Sequence, residues 1–212
     1  MPRVKVARKS TAIDMTAMCD VAFLLLTFFI LTAKPKIDDP SHAVVPFSVA
    51  MIPIADANMI TISIGKNPTT GKDAAFFSVS EQDVRRETLT AMGQAYGNVT
   101  FTPEEQKRFS LTPIFGVPMT QLKSFLDTDP EDLKKFPQTG IPLDTTNNSE
   151  LFNWVYKARQ AEKALHDQDL KISIKSDKGE LYPMVNQVIS MLAKQKEFKF
   201  DLITQMKTAS DK

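Results

Sequence analysis

Cysteine is almost absent: Cys19 stands alone in 212 residues, so no intrachain disulfide can form and a disulfide-stapled scaffold is excluded. The count does not fix the compartment. Glycine is scarce as well, seven residues against thirteen prolines, which favours proline-rich connections over glycine-rich phosphate loops. No P-loop, HExxH, CxxC or GxSxG pattern occurs, so the sequence does not read as an enzyme of those classes. The two histidines, His42 and His166, lie far apart with no ligand-spaced neighbours. Each reads as a solvated surface residue, and no metal or other cofactor is expected. Excess charge of one sign is missing too. The net charge is +1 and no basic stripe is interleaved with aromatics, so nucleic acid is not an expected partner. Asn98-Val99-Thr100 and Asn147-Asn148-Ser149 match glycosylation acceptors, a triplet that arises often by chance.

What is present is one long apolar run, Ile13 to Ala33, reading IDMTAMCDVAFLLLTFFILTA. As a helix its 21 residues span roughly 31 Å, the thickness of a bilayer hydrocarbon core. Arg3, Lys5, Arg8 and Lys9 precede it with no acidic residue, whereas Lys34 and Lys36 after it are offset by Asp38 and Asp39. The stronger positive flank stays in the cytoplasm, so the N-terminus is expected inside and the rest of the chain outside. A cleaved signal peptide with Val21 to Leu31 as its h-region is the rival reading. Leu31 fits the small-residue −3 position poorly, and the acidic pair Asp14 and Asp20 is unusual in such a peptide. The mass of the mature N-terminus separates the two.

Asp20 is the most informative residue. A carboxylate inside a membrane helix costs roughly 2.5–3.5 kcal/mol on insertion scales. Such a group is normally hidden in a bundle or wet cavity and carries a function. At about 100° per residue, Thr16, Asp20 and Thr27 fall within roughly 40° of one another, a polar stripe that Phe23 interrupts. Asp14 points almost opposite, near the cytoplasmic end. The bland alternative is a neutral, silent carboxyl near the membrane surface, with threonines that only bond their own backbone.

Beyond the span, residues 34–58 hold Pro35, Pro40, Pro46 and Pro53 and read as an extended linker, of which Val44 to Ile54 is apolar enough to dock as a strand against a partner or is simply a tethered coil. Ile60, Ile62 and Ile64 alternate in a half-buried strand. Asn67 to Gly71 is a turn, and Ala74 to Val79 a second strand. Ser80 with Asp83 resembles an N-cap for a helix over Glu81 to Ala95. Leu170, Ile172 and Ile174 form a third strand. Val185, Val188, Ile189 and Leu192 form a helical stripe opened by Pro183. Phe198, Phe200 and Leu202 form a last strand, open at its edge to a second copy, a peptide or ordinary pairing. The order strand-strand-helix-strand-helix-strand predicts a small α+β domain over 59–212.

The Asp14–Val21 stretch DMTAMCDV, followed by Phe23-Leu24-Leu25-Leu26 and Phe28-Phe29, resembles the signature of the ExbD/TolR family. That signature is Asn or Asp, Thr-Pro, two apolar residues, the membrane Asp, then a Leu/Phe-rich run. Ala17 replaces the Pro, and Cys19 takes an apolar position. Leu170 to Lys178, Tyr182, the patterned helix and Phe198 to Thr204 resemble the family's closing strand–helix–strand, with Ser190 and Lys196 where the family often has Asp and Gly. The resemblance implies that Asp20 is the proton-carrying carboxylate. It implies a bacterial inner-membrane subunit with a periplasmic domain, two copies inside a polytopic ExbB/TolQ-like ring, and a TonB-like energy transducer driven by protons. The competing reading is a TolR-like or other membrane-anchored scaffold attached to the envelope. The family offers no template for about 97–168, which reads as a central insertion: a folded accessory layer, since Phe115, Phe125, Phe152, Trp154 and Tyr156 are too many for disorder. Within it Ser149 is the expected N-cap of a helix to Leu165 containing Phe152, Val155, Tyr156 and Ala158. Trp154 is expected in the core. The remaining strands and helices can be drawn without this layer, so its removal is expected to spare their fold.

Overall fold

The computed structural model describes residues 15–33, 47–48, 57–67, 71–129, 132–133, 136–143, 149–176, 182–203 and 205–206. The basic tail 1–12, Asp14, His42 and most of the linker 34–58 lie outside the described residues. The chain divides into two compact units, Met1–Ile37 and Asp38–Lys212. The first contains one helix, α1, Met15–Thr32, a stretch without Pro or Gly.

The second unit is α+β, as the residue patterns predict. Its elements are β1 Phe47–Ser48, β2 Met59–Lys66, β3 Asp73–Val79, α2 Gln82–Ala95, α3 Pro103–Leu111, β4 Ile114–Phe115, α4 Met119–Asp127, α5 Glu150–His166, β5 Lys171–Ser176, α6 Tyr182–Lys194, β6 Asp201–Ile203 and β7 Gln205–Met206. Five strands form a mixed sheet in the order β4-β3-β2-β5-β6. β2 is antiparallel to β3 and parallel to β5, with Ile62 opposite both Phe77 and Ile174. β5 and β6 run parallel, as a strand–helix–strand connection through α6 requires. Two residues of the apolar linker stretch, Phe47 and Ser48, pair with Gln205 and Met206.

Period-2 alternation puts Ile60, Ile62, Ile64, Phe77, Val79, Ile172 and Ile174 on one sheet face, all buried. The opposite face is not solvated, as a half-buried β2 would require. Ser63 and Phe76, which face each other there, are also buried. Part of the cover is the chain around Gly116, where an added Cβ would come within 2.2 Å of the Phe76 ring.

Two local readings are corrected by the hydrogen bonds. Ser80 does not cap α2: its Oγ accepts from the Met59 amide at 2.9 Å, tying the start of β2, and Glu81 occupies the N-cap with no side-chain bond. The last strand starts at Asp201, three residues later than the Phe198-Phe200-Leu202 alternation suggests. Leu202 on this edge strand and Phe198 just before it stay exposed. The cause lies at the end of α6. Lys196 has φ 60°, with Lys196 N–H bonded to Ala193 O and Glu197 N–H to Leu192 O, both at 3.0 Å. This is a Schellman turn with lysine in the left-handed seat that glycine normally fills. Lys196→Gly is therefore expected to stabilise the protein by about 1 kcal/mol, read as a rise in the urea midpoint with unchanged slope.

The described residues of segment 97–168 are folded, but they do not form a detachable layer. Its Phe115 and Trp154 rings meet Phe77 of β3 and its Phe109 packs on both of them, with the Trp154 centroid 4.9 Å from Phe115, 5.8 Å from Phe109 and 6.0 Å from Phe77. β4 extends the sheet beside β3, and Leu122, Phe125, Leu151 and Val155 join the same core. The expectation that its removal spares the remaining fold is thereby overturned, because the sheet face would lose its cover.

Candidate functional site

The site begins with why α1 carries a carboxylate at all. The helix has a mean hydropathy of 2.0 over 18 residues, and none of it is buried by its own unit. Phe23, Leu24, Leu25, Leu26, Phe28, Phe29, Ile30 and Leu31 are all exposed, a surface that only a lipid or protein environment can cover. Its length of about 27 Å suits a membrane anchor. Asp20 is its one charged residue.

Thr16, Asp20 and Thr27 all fall within the α1 helix, at i, i+4 and i+11. The Thr27 hydroxyl donates to Leu24 O at 2.9 Å, and Thr32 does the same to Phe28 O at 2.8 Å. Thr27 thus spends its proton on the backbone and presents lone pairs outward, able to accept but not to supply a proton. Asp20 is exposed within the unit, available to a partner surface. Among the described residues no cluster of three or more His, Cys, Asp or Glu side chains could hold a metal ion.

In the second unit the α5 N-terminus follows the sequence reading. Ser149 Oγ accepts from Phe152 N–H at 3.2 Å. Glu150, next in line, accepts from the Met119 amide and so caps α4 from outside. Burial pushes its carboxyl above the usual range, and the Met119 hydrogen bond works against that. Thr102-Pro103-Glu104-Glu105 is a further local helix-start signal in the sequence. It is a full capping box for α3, in which Thr102 Oγ1 accepts from Glu105 N–H and Glu105 accepts from Thr102 N–H. Trp154 is fully buried, as expected, whereas Tyr156 is 42% exposed and stacks on Phe152 along the helix surface. His166 is exposed, as the sequence reading expects, and contacts Glu162 and Asp83. An open groove beside β6 includes Arg159, Phe198 and Phe200 in its lining, with Arg159 paired to Glu197.

An apolar helix near the N-terminus with one carboxylate, consistent with a single-pass membrane anchor, is followed by a mixed-sheet α+β domain. The chain matches the family model described as biopolymer transport protein ExbD/TolR over residues 7–207, and it belongs to that family. No curated protein and no solved structure matches it significantly.

Proposed function

We propose that this chain is the proton-carrying subunit of an ion-driven motor in the bacterial inner membrane, with Asp20 as the carrier. The observation that supports it is the lone carboxylate in an otherwise apolar helix. The energetics favour a switch. A proton crossing 100 mV is worth about 2.3 kcal/mol. Holding a charged carboxylate in the span costs roughly 2.5–3.5 kcal/mol. The two are of one size, so gain or loss of one proton can decide where the helix rests against its neighbours.

Two copies would sit inside an ExbB/TolQ-like polytopic ring, which would cover the apolar surface of α1 and give Asp20 a wet path to each side. Thr16 and Thr27 would line that contact, Thr27 as an acceptor. The basic flank supports an N-terminus in the cytoplasm and an α+β domain in the periplasm. That domain would pass the motion to a TonB-like transducer at the outer membrane.

Purification of the full-length protein from its native membranes in mild detergent is expected to bring down a multi-span subunit in excess over it, identified by mass spectrometry. Recovery of the protein alone, bound to peptidoglycan, would instead support the anchored scaffold.

A further inference from the structure

One imidazole joins two helix ends of the α+β domain. His166 lies in the last turn of α5. Its Nδ1 is 3.0 Å from Glu162 Oε2, one turn back on the same helix, and its Nε2 is 3.1 Å from Asp83 Oδ2, in the first turn of α2. An ionised carboxylate can only accept hydrogen bonds, and a neutral imidazole has one N–H. A neutral ring therefore satisfies one of these contacts and turns a lone pair on the other. Only the doubly protonated ring donates to both.

The surroundings favour that charged form. The Glu162 side chain is fully buried, and its Oε1 has no hydrogen-bond partner among the described residues. A buried carboxylate needs a nearby positive charge, and His166 supplies it. The ring stands at the negative end of α5 and Asp83 at the positive end of α2, each suited to its helix dipole. The nearest cation along the helix, Lys163, pairs with Asp167 at 3.2 Å. The groups that face the ring are thus Glu162 from α5 and Asp83 from α2. The Glu162 hydrogen bond, opposed by loss of solvent and aided by Asp83, raises the His166 pKa above its ordinary value.

The contact sits where the linker joins the sheet. Asn58 O accepts from Lys171 N–H at 2.9 Å, the Asn58 and Gln168 side chains are hydrogen-bonded, and Ser80 holds the Met59 amide. Gln168 follows His166 by two residues, and Ser80 precedes Asp83 by three.

We propose that His166 is a protonation-controlled clamp: the doubly protonated ring ties the end of α5 to the start of α2, and loss of one proton loosens the point where the linker enters the domain. The sign follows from the raised pKa. The clamp's contribution is complete below the ordinary histidine range and disappears as pH rises through the folded-state value. It stands on the geometry of the α+β domain alone and does not depend on the role of Asp20.

The test uses the full-length protein in detergent. The His166 ring is titrated by NMR, and backbone hydrogen-exchange protection is followed for residues 82–85 and 163–168 across the same pH range. The ring is expected to titrate at higher pH than in the urea-unfolded chain, with protection in both segments falling several-fold across its midpoint. Asp83→Asn is expected to lower the midpoint. An amide both donates and accepts, so the contact in this variant no longer needs the second proton, and protection becomes flat with pH. His166→Gln is expected to give the same flat profile, and Asp83→Asn decides the matter should that variant fail to fold. A His166 midpoint equal to that of the unfolded chain, or pH-independent protection in the unaltered protein, would overturn the clamp.

Discussion

Asp20→Asn is expected to abolish energised transport in cells while leaving membrane insertion and complex assembly intact. Asn keeps the size of the side chain and a polar atom in the same place, so α1 should insert and pack as before. It cannot bind and release a proton within the span, so the proposed carrier role predicts loss of any step that draws on the membrane potential. Because the neutral side chain is cheaper to bury, the variant should be recovered from membranes in at least the usual amount. Thr27→Val is the useful contrast. Its hydroxyl proton is already given to Leu24 O, and only an accepting lone pair is lost, so partial rather than complete loss is expected. Transport by the Asn variant at the rate of the unaltered protein would remove Asp20 from the mechanism.

Trp154→Ala is expected to have the largest effect on stability. The indole is fully buried, and three rings from β3, α3 and β4 pack on it. Truncation of a buried aromatic costs about 3–5 kcal/mol, a large share of the roughly 5–15 kcal/mol that holds a domain together. The matched control is Tyr156→Ala two positions on, which changes an exposed ring and is expected to stay within about 0.5 kcal/mol. Urea unfolding of the full chain in detergent, followed by circular dichroism because the only tryptophan is removed, measures both. Equal midpoints for the two variants would mean that segment 97–168 does not share the core.

The elements legible in the sequence are those whose cause is local. The α1 span needs only a run of apolar residues, and β2 and β5 need only the alternation Ile60-Ile62-Ile64 and Ile172-Ile174. The Ser149 cap precedes its helix by one residue. The capping box of α3 was equally local, and Thr102 with Glu105 could have been found by spacing alone. What could not be read depends on pairing across distance. Met59 stands opposite Lys171, and Phe77 opposite Phe115, and nothing in either neighbourhood specifies the other. The same is true of Asp83 meeting His166, although Glu162 one turn before it was visible. Segment 97–168 misled for this reason: its aromatics announced burial but not against what. The alternation Phe198-Phe200-Leu202 misled for another. A left-handed Lys196 turns the chain out of α6, and the first pairing with β5 comes only at Asp201.

The most direct test of the proton-carrier role is proton flux itself. The complex purified from native membranes is reconstituted into liposomes containing a pH-sensitive dye, and a potential is imposed with a potassium gradient and valinomycin. Inward acidification that depends on the potential is expected for the unaltered protein, with none above protein-free liposomes for Asp20→Asn. Equal flux through both would contradict a proton path through Asp20.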